Sequence, residues 1–220
     1  MDAQIRDGLL LMILLIISIG LHEFGHAWMA DLRGDPLPRL QGRVTLNPFA
    51  HTDPIGTIAI PAIAIFLPIL LSLKWSIMLI GWGKPVQISL PNPKTRRMDD
   101  IYITLAGPAM NLVLCLVFAV IGGLGNFDPK TQVVITDFLG KGIVLNAGLV
   151  VFNLIPIPPL DGSRLALRLG LYSEELFMTV ARWGFIILLM LVNFAPFQLA
   201  MGYARALVAT PWFALWDLLS

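Results

Sequence analysis

The apolar positions of this chain fall into long continuous runs instead of the short periodic stripes of a soluble fold. They cover roughly residues 8–30, 56–81, 101–124, 142–157 and 183–203, followed by a weaker amphipathic stretch at 205–219. A run of about 20 apolar residues is long enough to cross a bilayer as a helix. The second run is interrupted near Pro68 and Lys74. The pattern predicts an all-α bundle of about four full transmembrane helices plus a re-entrant or bent helical hairpin. Residues 84–93, with prolines at 85, 91 and 93, read as a short extended membrane-associated segment. The tryptophans at 28, 75, 82, 183, 212 and 216 sit at or near run ends, where an interfacial aromatic belt belongs. The first run does not read as a secretory signal, because only Arg6 flanks it and no small-x-small cleavage site interrupts it.

Composition agrees with a membrane medium. The chain is 57% hydrophobic and 13% charged, with mean hydropathy +0.79, which leaves too little polar surface for a soluble globule. No linker, repeat or low-complexity stretch divides it, so residues 1–220 read as one membrane-embedded unit, with a core at about 8–170 and C-terminal helices at 171–220. A net charge of +1 gives no footprint for nucleic acid, and the patch Lys94-Thr-Arg-Arg97 reads as a membrane-flanking anchor. The single cysteine, Cys115, excludes an internal disulfide and reads as a small core residue.

The first run carries titratable groups in His22-Glu-Phe-Gly-His26. Helix positions four apart are separated by about 40° around the axis and about 6 Å along it, so the two imidazoles face one point and can grip one metal. Glu23 is offset by about 100° from His22, where it can hold a water that the metal also binds. Each ionisable group inside a membrane helix costs on the order of 3 kcal/mol, and a divalent cation is the partner that offsets three of them. Catalytic zinc takes three protein ligands, so a third is owed. Asp161 is the first choice: prolines 156, 158 and 159 break the helix before it, and the unwound chain can present a carboxylate toward a cavity. His51 and Asp53, in Asn47-Pro-Phe-Ala-His-Thr-Asp-Pro54, are rival ligands or turn-formers.

Three ordered motifs now stand together: His22-Glu-Phe-Gly-His26, Ala106-Gly-Pro-Ala-Met-Asn111 and Asn153-Leu-Ile-Pro-Ile-Pro-Pro-Leu-Asp-Gly162. Over about residues 8–170 the chain resembles the site-2 protease family of intramembrane zinc metalloproteases. The Asn47–Pro54 stretch and Gly81-Trp-Gly-Lys-Pro-Val86 resemble its compact branch, which lacks PDZ and CBS domains. The resemblance implies one Zn2+ per chain held by His22, His26 and Asp161, with Glu23 as base and Asn153 as an amide donor near the reacting carbonyl. It implies a transmembrane protein or peptide as substrate, cleaved in or beside the lipid bilayer. Ser163 departs from the family, where a second glycine is frequent. The alternative function is metal binding or transport at the same His/His/Asp site, but the remaining runs carry few of the polar residues that a transit path requires. A catalytically inactive scaffold is a third, which a missing Glu23 would have signalled.

Topology follows from continuity. His22, His26 and Asp161 must meet, so the 8–30 and 142–157 runs finish on one side and the 101–124 run starts there. The 56–81 run must then leave that side and return to it, yet its length is too short for two crossings of about 20 residues. It is expected to turn in the Pro68–Lys74 region. That side carries ten of the fifteen Lys and Arg, at 33–43, 84–97 and 164–182. The positive-inside rule makes it cytoplasmic, and places the active site near the cytoplasmic face of an integral, multi-pass protein.

Overall fold

A computed structural model describes residues 3–72 and 81–220. The helices are α1 (Ala3–Leu32), α2 (Leu37–Leu40), α3 (Ile60–Leu70), α4 (Arg96–Leu124), α5 (Gln132–Asn153), α6 (Asp161–Leu169), α7 (Glu174–Val192) and α8 (Ala195–Leu219). Among the described residues there is no strand. By length and composition α1, α4, α5 and α7 can each cross a membrane. Helix α4 is the hub, packing against α1, α5, α6 and α8. The apolar centre, built on Leu14, Leu114, Cys115, Phe118, Ile143 and Ala147, lies among α1, α4 and α5, as the reading of Cys115 anticipated. Lipid removes most of the hydrophobic drive between helices, so close approach depends on small side chains. Gly142 of α5 receives the Phe118 ring, and Gly122 of α4 lies under Trp216 of α8.

Ion pairs mark one end of the bundle. Arg33, just past α1, donates to Asp99 at 2.6 Å, while Arg164 and Arg168 of α6 donate to the two oxygens of Asp100 at 2.6 and 2.5 Å. The end of α1, the start of α4 and all of α6 therefore share one face. Helix α4 runs away from it and α5 returns. The helices extend beyond the apolar runs because charges beyond those runs are paired: Lys141 of α5 lies 2.6 Å from Asp137 and 3.6 Å from Asp7 of α1.

The 56–81 run leaves and re-enters at one place. Trp82 N–H donates to the Gly56 carbonyl at 3.2 Å, and the Thr57 hydroxyl donates to the Trp82 carbonyl at 2.7 Å. A π-helical turn, Pro54–Ala59, leads into α3, which continues through Pro68 to Leu70. The remainder of the expected turning region, including Lys74 and the belt residue Trp75, falls at 73–80, outside the described residues.

Two boundaries differ from the hydropathy pattern. The 183–203 run is not one span: it breaks at Asn193–Phe194, because Pro196 at the start of α8 has no N–H to give the preceding turn. The 205–219 stretch is not a separate tail but the second half of α8, with Trp216 and Leu219 seated on Gly122 and Gly123.

Residues 84–92 form neither helix nor strand, Leu90 among them takes a left-handed φ of 48°, and the segment is fastened by one buried carboxylate. Asp35 accepts from the Ser89 hydroxyl at 2.7 Å, from Ser89 N–H at 2.5 Å, and from the N–H groups of Leu90 and Leu37 at 3.1 and 3.0 Å. Burial alone would raise the pKa of Asp35; these bonds outweigh it and hold it below the ordinary value. A depressed folded-state pKa means that the clasp is at full strength above about pH 4, the ordinary aspartate value, and is lost as pH falls through the lower one. Protection of residues 84–92 from hydrogen exchange, relative to the unfolded chain at the same pH, is therefore expected to be high at about pH 6 and to fall as pH drops below the ordinary aspartate value and through the lower folded-state one. In Asp35→Asn it should be low throughout; protection of the native segment that stays unchanged as Asp35 is protonated would contradict the clasp.

Candidate metal centre

His22 and His26 lie on the α4-facing side of α1. Their Nε2 atoms are 3.1 Å apart, and Asp161 Oδ2, from the first residue of α6, lies 3.1 Å from one and 3.3 Å from the other. The three atoms form a nearly equilateral triangle, and all three side chains are at least 85% buried. No other cluster of three or more His, Cys, Asp or Glu able to hold a metal occurs among the described residues.

The far side of each imidazole fixes its tautomer. His26 Nδ1 lies 2.7 Å from the Ile103 carbonyl, which can only accept, so the proton sits on Nδ1. His22 Nδ1 lies 2.7 Å from Asn111 Oδ1, which places its proton in the same way. Both Nε2 atoms then aim lone pairs at each other and at a carboxylate oxygen that has no hydrogen-bond partner. Three converging lone pairs repel unless a cation lies between them. A tetrahedral zinc with bonds of about 2.0–2.1 Å separates its ligand atoms by about 3.3–3.4 Å, close to the triangle found here. The donor set, two neutral imidazoles and one carboxylate, leaves a fourth position open, as a catalytic site requires.

Local sequence explains the convergence. A Cβ on Gly107 would collide with both Nε2 atoms, and one on Gly25 would lie 2.5 Å from the Ala106 carbonyl, so each helix carries a glycine where the other approaches. Prolines 156, 158 and 159 end α5 and let the chain turn back into α6. Gly162 faces the Leu154 and Ile155 carbonyls with no space for a side chain, and Ser163 closes the turn by donating to the Leu160 carbonyl at 2.7 Å.

The other candidates occupy different places. Glu23 points toward Gly83, where an added Cβ would lie 2.9 Å from its Oε1. Asn153, at the end of α5, donates its amide to the Leu149 carbonyl at 3.0 Å and so turns into its own helix. Asp53 accepts from Ile55 and Gly56 N–H at 3.0 and 2.7 Å as the cap of the π-helical turn. His51 is fully buried against the Thr45 carbonyl at 2.9 Å, burial pushes its pKa down, and its own carbonyl accepts from Lys84 N–H. These two brace the loops; they do not join the triangle. Sequence reasoning assigned no role to Asn111, Gly107 or the Ile103 carbonyl. Asn111 carried a signal, being a polar residue inside an apolar run; the other two depend on helix packing that no local pattern shows.

Comparison with known proteins finds relatives named as zinc metalloproteases. The chain is 34% identical over 187 residues to a Bacillus subtilis protein named "Putative zinc metalloprotease YwhC", covering 82% of this chain and 78% of that one. It is 32% identical over 180 residues to "Putative zinc metalloprotease Rip2" of Mycolicibacterium smegmatis, and 32% over 151 residues to the Mycobacterium tuberculosis protein of that name. It spans 64% and 52% of the two Rip2 chains. No family model and no solved structure matches it.

If the triangle is the metal site, Asp161→Ala leaves two imidazoles and metal affinity falls by well over the roughly 100-fold upper range for loss of a supporting residue. Asp53→Ala and His51→Ala should retain the metal. Elemental analysis after dialysis against a chelator separates the two results; retention in Asp161→Ala with loss in either of the others would move the third ligand to the 47–54 loop.

Proposed function

Because the chain belongs to the site-2 protease family, whose relatives here are named as zinc metalloproteases, we propose that it is an intramembrane zinc protease that hydrolyses peptide bonds in or beside transmembrane segments. The observation that carries this reading is the buried triangle of His22, His26 and Asp161, with its lone pairs unsatisfied inside a bundle of apolar helices. His22, His26 and Asp161 hold one zinc ion per chain. Bound zinc supplies a Lewis acid for the scissile carbonyl and brings the pKa of water to about 7. Glu23, offset from the ligand pair, takes the proton of the attacking water and returns it to the leaving amine. Asn153 steadies the developing oxyanion once its amide leaves the Leu149 carbonyl.

A helical substrate hides its carbonyls in its own hydrogen bonds and must unwind to be cut. Residues 84–89, which form no helix, are the backbone with which it would pair. Gly83, where that segment begins, lies directly against Glu23, so a paired substrate would pass the base. The alternative of metal transport gains nothing from the structure or from the relatives' names.

Glu23→Gln tests the assignment of the base. The variant should keep about one zinc per chain, while cleavage of a membrane substrate falls by several orders of magnitude. Loss of zinc would make Glu23 a ligand instead.

The ten Lys and Arg assigned to the Asp99–Asp100 side favour, by the positive-inside rule, a cytoplasmic position for that side and for the metal centre nearest it. Single cysteines at Arg97 and Lys130, in a Cys115→Ala background, should react from opposite faces, position 97 only once the cytoplasmic side is opened. Reaction of both from one face would overturn the orientation.

A further inference from the structure

Three polar side chains sit fully buried among the apolar helices on the side of the metal triangle away from Asp161: Ser18 of α1, Asn111 of α4 and Asn146 of α5. They form one continuous chain of hydrogen bonds. Asn146 donates its amide to the Gly142 carbonyl at 2.9 Å and to the Ser18 hydroxyl at 3.0 Å. Its Oδ1 accepts from Asn111 Nδ2 at 2.8 Å, and Asn111 Oδ1 accepts from His22 Nδ1 at 2.7 Å. Asn111 Nδ2 has one other acceptor, the Ser18 carbonyl, at a long 3.3 Å.

The direction of this chain is fixed at its far end. A backbone carbonyl can only accept, so the Gly142 carbonyl decides which end of the Asn146 amide carries nitrogen. That choice presents Asn146 Oδ1 to Asn111, which turns the Asn111 amide so that its own oxygen faces His22. His22 must then carry its proton on Nδ1 and aim the Nε2 lone pair into the triangle. Without Asn146 the Asn111 amide is held only by the 3.3 Å contact, at the edge of hydrogen-bonding distance, and its flipped form would offer a donor to His22 and favour the tautomer that cannot bind metal.

Resting on the reading of His22, His26 and Asp161 as zinc ligands, we propose that Asn146 is a positioning residue for the metal: it sets the tautomer of His22 through Asn111, although it touches neither the metal ligands nor Glu23. Asn111 transmits the constraint, which gives the Ala106–Asn111 motif a role in metal binding.

The test is zinc affinity of the purified full chain, measured by chelator competition, with thermal stability of the metal-free protein recorded alongside. Asn111→Leu should weaken zinc binding about 10–100-fold, as loss of a supporting hydrogen bond to a ligand does. Asn146→Leu should weaken it by about 10-fold in the native background and not at all in the Asn111→Leu background, because its effect passes through Asn111. Asn146→Asp, whose protonated form keeps an acceptor for Asn111 and a donor for Ser18, should restore native affinity. Asn146→Thr is the gentler replacement if the leucine variant does not fold; it satisfies its own helix, cannot reach Asn111, and should lose affinity as Leu does. Equal losses in both backgrounds, or native affinity in Asn146→Leu or Asn146→Thr, would overturn the proposal. Asp161→Ala is the control for the ligand reading itself: if it retains zinc, the ligand set is wrong, whereas its loss of zinc beside an unaffected Asn146→Leu condemns the relay alone.

Discussion

The crossing of α1 and α4 is the contact on which the site depends. Helix pairs in lipid approach closely only where side chains are missing, and here each helix supplies one glycine to the other: Gly25 under the Ala106 carbonyl, Gly107 under the two imidazoles. That approach brings the Ile103 carbonyl and the Asn111 amide within 2.7 Å of the histidine Nδ1 atoms. One packing event therefore places both imidazoles, selects their tautomers and leaves room for a cation. A methyl group at Gly107 would remove all three together, because it would occupy the space into which both Nε2 atoms point.

The third donor arrives by a different physical route. Asp161 is not carried on a membrane-spanning helix; it begins a short helix that starts after a proline-broken turn and is secured from its other end. Asp100 is 1% exposed, and each of its oxygens is held by a separate arginine of α6. Exposed ion pairs contribute little, but a buried carboxylate shared between two guanidinium groups is costly to break, because removing a partner strands its charge. The Asp99 contact to Arg33 ties α1 into the same face. Charge pairing at this end of the bundle thus anchors α6 about one and two turns along from Asp161.

How much of this was legible beforehand divides along the same lines. That His22, His26 and Asp161 cluster was readable, for the histidines because ionisable groups inside an apolar run have few other reasons to exist and a spacing of four is a geometric statement about a helix, and for Asp161 because it follows the prolines that end such a run. That the 56–81 run returns to where it leaves was readable from chain continuity, and the Gly56–Trp82 bond joins the two ends of that run. Helix ends were less legible: Lys141 and Asp137 looked like the limit of a membrane run, whereas their pairing with each other and with Asp7 lets α5 begin at Gln132. Pro68 looked like a breaker and lies inside α3, while Asn193 and Phe194, inside an apolar run, end α7 and precede α8. Hydropathy measures compatibility with lipid, and it is blind to which polar groups find partners across the bundle. Asn111 and Asn146 were unread for that reason.

The proposed ligands and the proposed base also differ in how they are held, and the difference suits that assignment. His22, His26 and Asp161 are fixed from behind: two by hydrogen bonds to α4, one by its place at the start of a clasped helix. Glu23 is on the same helix as the histidines yet accepts no hydrogen bond among the described residues, and its carboxylate faces the backbone at Gly83. A ligand gains from a single orientation, since any rotation lengthens a metal bond. A base that must take a proton on one side of a reacting bond and deliver it on the other gains from having none imposed. The offset of about 100° between neighbouring helix positions supplies that separation at no further structural cost: one turn of α1 directs two hydrogen-bonded imidazoles into the bundle and one carboxylate toward Gly83.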